Sequence, residues 1–392
     1  MRGYPLILFN EFKGLYNTGD EQSFPIGSMT SANNVMVNNY ADVIARPGIN
    51  KIFNGTAISA SYGTLDNSAM YVVDDGTLYR IDGNLTPLAN GFSDVPYQWC
   101  EESSLKIFVV GDGVCLSIND YNNIHNLNIP VPVGITAQLG AGALPVGELV
   151  IAAQFVSADG IAGALSDSYR ISVPANSSVM VSVPNHNGFT VNILAALPND
   201  LGWVSIGQTP SFLVINSFDI AGAPIDGVYM NTMSAPLNNV RAAEFFNNRL
   251  VVAVETESGS VIFFSKPGFY HLFSTLQDFF ELPDTVTDLA NINGQLLITG
   301  RSGIYAFTPD GQIQKIVDYG TPRGKPILRL PEGGSLIWTD RGVCTFPNFS
   351  NLTKEHVSVP PGSACATSMF EWRGSTYMLS SNDGIVQQFN SN

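Results

Sequence analysis

Hydrophobic and polar positions alternate in short runs along this chain, and no apolar stripe at helical spacing persists for a useful length. Runs rich in Val, Ile, Leu, Tyr and Phe are punctuated by Asp, Asn and Gly, the pattern of strands joined by tight turns. Several runs pair up around one turn glycine. Met70-Tyr71-Val72-Val73 passes through Asp74-Asp75-Gly76 into Leu78-Tyr79-Arg80-Ile81, and Ile107-Phe108-Val109-Val110 through Asp112-Gly113 into Val114-Cys115-Leu116. Leu296-Leu297-Ile298-Thr299 leads over Gly303 into Ile304-Tyr305-Ala306-Phe307. Leu336-Ile337-Trp338-Thr339 leads over Asp340-Arg341-Gly342 into Val343-Cys344, and Thr376-Tyr377-Met378-Leu379 over Asp383-Gly384 into Ile385-Val386. A looser copy joins 250–254 to 261–264 over Gly259. Asp-Gly pairs supply the positive φ that tight hairpins need, so each copy predicts a hairpin.

The turn glycines recur at 37 residues from Gly76 to Gly113, 44 from Gly259 to Gly303, 39 to Gly342 and 42 to Gly384. This is close to the period of roughly 40 to 45 residues of a four-stranded propeller blade. The step from Gly113 to Gly259 is 146 residues, about 100 beyond one blade. The excess, 130–235, carries short strand-like runs at roughly ten-residue intervals, including 147–156, 169–173, 179–183 and 189–194, separated by turns such as Asp159-Gly160. The expected fold is all-β: a six-bladed β-propeller interrupted by an inserted β-sandwich of fibronectin or Ig type. The expected division is 1–129 for the N-terminal segment and first blades, 130–235 for the sandwich and 236–392 for the remaining blades. The segment 42–53 is expected to supply a strand closing the ring against the C-terminal blade.

Composition narrows the function. The 392 residues are 45% hydrophobic and only 13% charged, and 18 Lys and Arg against 33 Asp and Glu give a net charge of −15. Disorder through self-repulsion is excluded, and so is a phosphate-grasping surface built from clustered cations. High apolar content with so few charges predicts obligate oligomerisation through apolar surface. No apolar run is long enough for a membrane span, and no export signal is expected from the first residues. Cys100, Cys115, Cys344 and Cys365 show neither disulfide-framework nor zinc spacing and are expected to be buried thiols.

Candidate chemistry is sparse. No G-x-S-x-G elbow occurs, and the glycine-rich strings at 320–326 and 140–145 fit neither a phosphate loop nor a dinucleotide turn. His125, His186, His271 and His356 stand far apart, without the short spacing of a metal pair. No metal and no cofactor are expected. Asp74, Asp112, Asp340 and Asp383 fall at equivalent hairpin turns, where they can form an acidic ring or simply cap turns. A glycan-binding or glycan-cleaving site would use Trp338 for stacking with Asp340 and Asp383 as the carboxylate pair; Trp338 and Trp372 equally suit blade packing.

Near the N-terminus, Ala32-Asn33-Asn34-Val35-Met36-Val37 is followed by Arg46-Pro47-Gly48-Ile49. This resembles the opening of bacteriophage tail nozzle and tail hub proteins, in which an Ala-x-Asn stretch and a strand ending in Arg-Pro-Gly precede a propeller. The runs 249–253, 262–265, 280–283 and 296–307 resemble that family's strand order, and the turn 158–166 is similar to those of fibronectin-like domains in phage tails. The resemblance implies a non-enzymatic virion protein, assembled in the host cytoplasm. It would form a homo-oligomeric ring, commonly of six copies, below the portal and its adaptor, contacting tail fibres or tip proteins. DNA would pass through it at ejection without specific binding, and the chain itself would not enter a membrane. Asn33, Asn34, Arg46, Pro47 and Gly48 would then be structural residues or subunit contacts, and Arg-Pro-Gly also reads simply as a strand-end turn.

Overall fold

A computed structural model describes residues 55–352 apart from 65, 67, 94, 96, 104–105, 197–201, 217–231, 235–237, 275, 309 and 331–333, together with the strands Val35–Val37, Val43–Ala45, Thr367–Trp372, Ser375–Ser380 and Ile385–Phe389. Among these residues every regular element is a strand. Strand follows strand in antiparallel meanders of the kind that build propeller blades, and the fold is of the β-propeller class. Among the described residues six sheets are built around such meanders. One runs from Ile58–Gly63 to Leu85–Asn90 and the next from Gln98–Ser103 to Asn123–Asn126. A larger sheet holds Val240–Phe246, Arg249–Thr256 and Gly259–Lys266. The others are centred on the pairs Gln295–Gly300 with Ile304–Phe307, Ser335–Thr339 with Gly342–Phe346, and Ser375–Ser380 with Ile385–Phe389.

Turn chemistry sets these hairpins. Asp75 and Gly76 have φ of 46° and 73°, and Asp112 and Gly113 have 44° and 80°, so both central residues sit left-handed, as the twist of a two-residue hairpin demands. Asn247-Asn248 and Asn293-Gly294 turn in the same way. The register then decides which side chains meet. In Lys106–Gly111, Ile107 and Val109 pack with Tyr71, Val73, Leu78 and Trp99 on one face. Phe108 and Val110 pack with Leu250 and Val252 on the other. A strand covered on both faces reads as an unbroken apolar run rather than an alternating one, which is why 107–110 is Ile-Phe-Val-Val.

Between Asn126 and Val240 lie two antiparallel sheets that share one core. One holds Thr136–Leu144, Ser177–Ser182 and Phe212–Ile215, and the other Tyr169–Val173, Gly147–Ser157, Phe189–Ala196 and Val204–Thr209. Alternate residues Leu149, Ile151, Ala153 and Phe155 point inward, against Val179 and Val181 from the facing sheet. Val204–Thr209 and Phe212–Ile215 lie beyond the last strand read from the sequence; Gly207 and the partly exposed faces of both strands weaken their hydrophobic signal.

By compactness the chain divides into Gly55–Pro283 and a second unit of Met1–Asn54 with Asp284–Asn392. The strand Thr232–Ser234, inside the 130–235 segment, pairs with Phe269–Ser274 of the following sheet. Of the segment 42–53, from which a ring-closing strand is expected, only Val43–Ala45 is among the described residues. Val43–Ala45 pairs antiparallel with Val35–Val37 in a two-stranded sheet. In the last sheet it is Gly324–Lys325 that lies beside Thr367–Trp372, in parallel.

Candidate functional site

The acids at equivalent turns are engaged locally. Asp74 is 8% exposed, and its Oδ1 accepts from the backbone N–H of Thr56 at 2.9 Å and of Ala57 at 2.7 Å. Asp112 accepts from the Ser93 hydroxyl. Asp340 accepts from Gly320 N–H at 3.3 Å, while its own N–H donates to the Gly320 carbonyl at 2.9 Å. These are the turn-capping uses for which Asp is favoured. Asp383 lies outside the described residues. Trp338 is 2% exposed and packs among Leu336, Val343, Leu328, Leu330 and Leu352, so its indole has no open face for a sugar. Alternation at Leu336-Ile337-Trp338 buries both faces of that strand, and the tryptophan belongs to the packing.

Asn33, Asn34, Arg46, Pro47 and Gly48 also lie outside the described residues, but the strands they flank are described. Val35–Val37 begins directly after Asn34 and Val43–Ala45 ends directly before Arg46, with Val35 opposite Ala45.

The polar chemistry in the interior comes from residues the sequence did not single out. Asp284, 6% exposed, accepts from Ser302 N–H at 3.2 and 3.1 Å and from the Tyr305 hydroxyl at 3.2 Å. A Cβ on Gly300 would stand 2.3 Å from its Oδ2, so this carboxylate needs glycine beside it. Asp288, 2% exposed, accepts from its neighbour Leu289 N–H and from Lys325 Nζ, both at 2.9 Å. Burial pushes its carboxyl up, and the charges of Lys325 and Arg329 only partly offset that. Thr287 lies 2.9 Å from the Thr299 hydroxyl, which closes a buried hydroxyl chain.

In Gly55–Pro283, the Tyr62 hydroxyl donates to Glu101 at 2.9 Å while its ring stacks on Trp99 at 5.6 Å. Burial, then the Glu101 carboxylate, holds that phenol far above the usual range. Lys106 bonds Glu102 at 2.9 Å and covers the Tyr270 ring at 4.4 Å. Asp278 is held between Lys266 at 2.6 Å and Arg249 at 2.8 Å; burial raises its carboxyl, but those two cations outweigh it and keep it below the carboxylate range. Each of these carboxylates is engaged by a partner, Glu101 by Tyr62 from the preceding sheet, Glu102 by Lys106 of its own, and Asp278 by Lys266 and Arg249. Among the described residues no three His, Cys, Asp or Glu side chains gather as a metal site.

Cys100, Cys115 and Cys344 are buried and outside any disulfide, and Cys365 lies outside the described residues. Burial alone pushes Cys115 up to about 12. At pH 8 it is expected to resist iodoacetamide in the folded protein and to react fully in urea. Mass mapping that finds Cys115 alkylated in the native state would refute this.

No family model and no curated protein matches the chain. Solved structures resemble it at low identity. AztD from Citrobacter koseri is 12% identical with a TM-score of 0.42, over 89% of this chain and 88% of that one. The virginiamycin B lyase of Staphylococcus aureus is 11% identical with a TM-score of 0.35, over 86% and 85%. The Dos1 propeller is 12% identical with a TM-score of 0.37, over 91% and 80%. One of these is an enzyme, and the expectation of a non-enzymatic protein is corrected on that finding: a fold of this class does not exclude catalysis.

Proposed function

We propose that the chain is a structural protein of a bacteriophage tail, a nozzle or hub component that assembles as a ring and continues the DNA channel. The observation that carries this reading is the N-terminal hairpin. Its first strand follows Ala32-Asn33-Asn34 and its second runs into Arg46-Pro47-Gly48, the order of motifs that the nozzle and hub proteins resembled here place ahead of a propeller. The charge of −15 supports it, because a wall past which DNA slides is served by repelling phosphate. In this reading the two-sheet module between Asn126 and Val240 reaches outward to neighbouring tail proteins or fibres, and the ring seats against an adaptor on the portal side.

The test is quantitative mass spectrometry of density-purified particles from the source culture, scaled to a capsid or portal protein. About six or twelve copies per particle are expected from a closed ring. A protein found free in the lysate and absent from particles would overturn the reading.

A further inference from the structure

We propose that the loop 157–164 is an acid-released latch: it holds the two-sheet module on the adjoining propeller-type sheets, and charging His271 loosens it.

The loop belongs to the module by its backbone. Ser157 N–H donates to the Ile161 carbonyl at 2.9 Å, Gly160 N–H to Ser157 at 3.0 Å and Gly163 N–H to Phe155 at 2.8 Å. Its outer surface belongs to the other side. Ile161 packs against the module core and also against the core containing Phe108, Leu250 and Phe273. The Ala162 carbonyl lies 2.8 Å from His271 Nε2, on the strand Phe269–Ser274. Ile129, in the entering linker, presses on Gly163 so closely that a Cβ there would stand 2.5 Å from it. At the rim, His125 Nδ1 lies 3.2 Å from Asp159 Oδ2, an electrostatic contact without hydrogen-bond alignment.

His271 is 5% exposed, and a carbonyl acceptor requires the proton on Nε2. Burial lowers its pKa, and the Ala162 hydrogen bond offsets this only in part. The charged groups around the joint are paired elsewhere: Asp159 of the loop with His125 of Asn123–Asn126, Glu102 with Lys106 about Tyr270 on the neighbouring position of His271's strand, and Asp278 with Arg249 and with Lys266 of the paired strand Gly259–Lys266. An imidazole that is neutral when buried and takes a proton when open favours the open state in acid. The latch is therefore fully held above the ordinary histidine value of about 6.5 and weakens as pH falls below it. The His125–Asp159 pair at the rim is partly open to solvent and adds little to the joint.

Hydrogen exchange on the full chain between pH 8 and 5.5, corrected for intrinsic rates, reads the latch in peptides covering 127–129 and 155–165. Opening is expected to rise by up to about tenfold per pH unit below the transition, the slope of one proton. His271→Gln stays neutral and can still donate to Ala162, so it is expected to abolish the pH dependence, whereas His125→Gln keeps it. In the wild type the exchange midpoint is expected to follow the His271 imidazole resonances in NMR, which gives a readout should His271→Gln fail to fold. A pH-independent wild type, a His271→Gln protein with the wild-type slope, or a midpoint that follows His125 would overturn the latch.

Discussion

Replacing Gly320 with alanine is expected to lower stability by roughly 3 kcal/mol or more, the scale of an overpacked interior that cannot relax. A Cβ at this position would stand 1.9 Å from the Arg301 carbonyl oxygen and 2.2 Å from its carbon. Both are backbone atoms, and both are anchored: Arg301 N–H donates to Thr285 at 3.0 Å and Thr321 N–H to the Gly300 carbonyl at 2.9 Å. Relief would pull the turn at 300–303 away from 320–321 and break the Asp340 N–H bond to Gly320 as well. Two controls calibrate the effect. Gly311→Ala meets nothing within 4 Å and carries only the strain of φ +85°, about 1 kcal/mol. Gly300→Ala meets the Asp284 carboxylate, a side chain that can swing at the loss of its hydrogen bonds, about 1–3 kcal/mol. Urea unfolding of the three variants should rank them Gly320, Gly300, Gly311. A Gly320→Ala protein as stable as Gly311→Ala would show that the close approach does not exist.

That glycine illustrates what the sequence holds back. The hairpins were legible because their signals are local: Asp75-Gly76 and Asp112-Gly113 announce positive φ, and the flanking runs announce two-sided burial. Gly320 carries no such mark, because what demands it is Arg301, nineteen positions away in sequence. Turn acids were legible as turn acids, yet only the structure shows that Asp74 caps Thr56 and Ala57 and that Asp340 holds Gly320. Trp338 was ambiguous in the sequence because an aromatic in a strand has the same spacing whether it packs or stacks a ligand; burial decides it. The N-terminal motif lay open in the residue order, while the partner of its second strand did not, since pairing with Val35–Val37 or with a distant sheet leaves the same alternation. Asp284 and Asp288 were passed over altogether, as two acids among 33 with no turn glycine or histidine to single them out.

Asp288 makes the second large prediction, in which removing a cation rather than an acid does the damage. Its side chain is 3% exposed, while that of Lys325 is 41% exposed. Lys325→Met therefore strands a buried carboxylate, and Arg329 only partly replaces the lost charge. The expected loss at pH 7 is about 3 kcal/mol, at the low end for breaking a buried pair. Asp288→Asn leaves a lysine that can turn to water and an amide oxygen that still accepts from Leu289 N–H. It is expected to stay within about 1 kcal/mol of wild type, as is the double variant. The pH dependence has a definite sign. Because burial holds this carboxyl above its ordinary 3.8, the folded state binds the proton first, and this group adds stability as pH falls through its folded value toward 3.8. Lys325→Met raises that folded value further, so part of its deficit should return between pH 7 and 5, and Asp288→Asn should remove the recovery. Urea unfolding at the two pH values checks both signs. A Lys325→Met protein within about 0.5 kcal/mol of wild type at pH 7, as for an ordinary surface lysine, would mean that Asp288 is solvated and not buried.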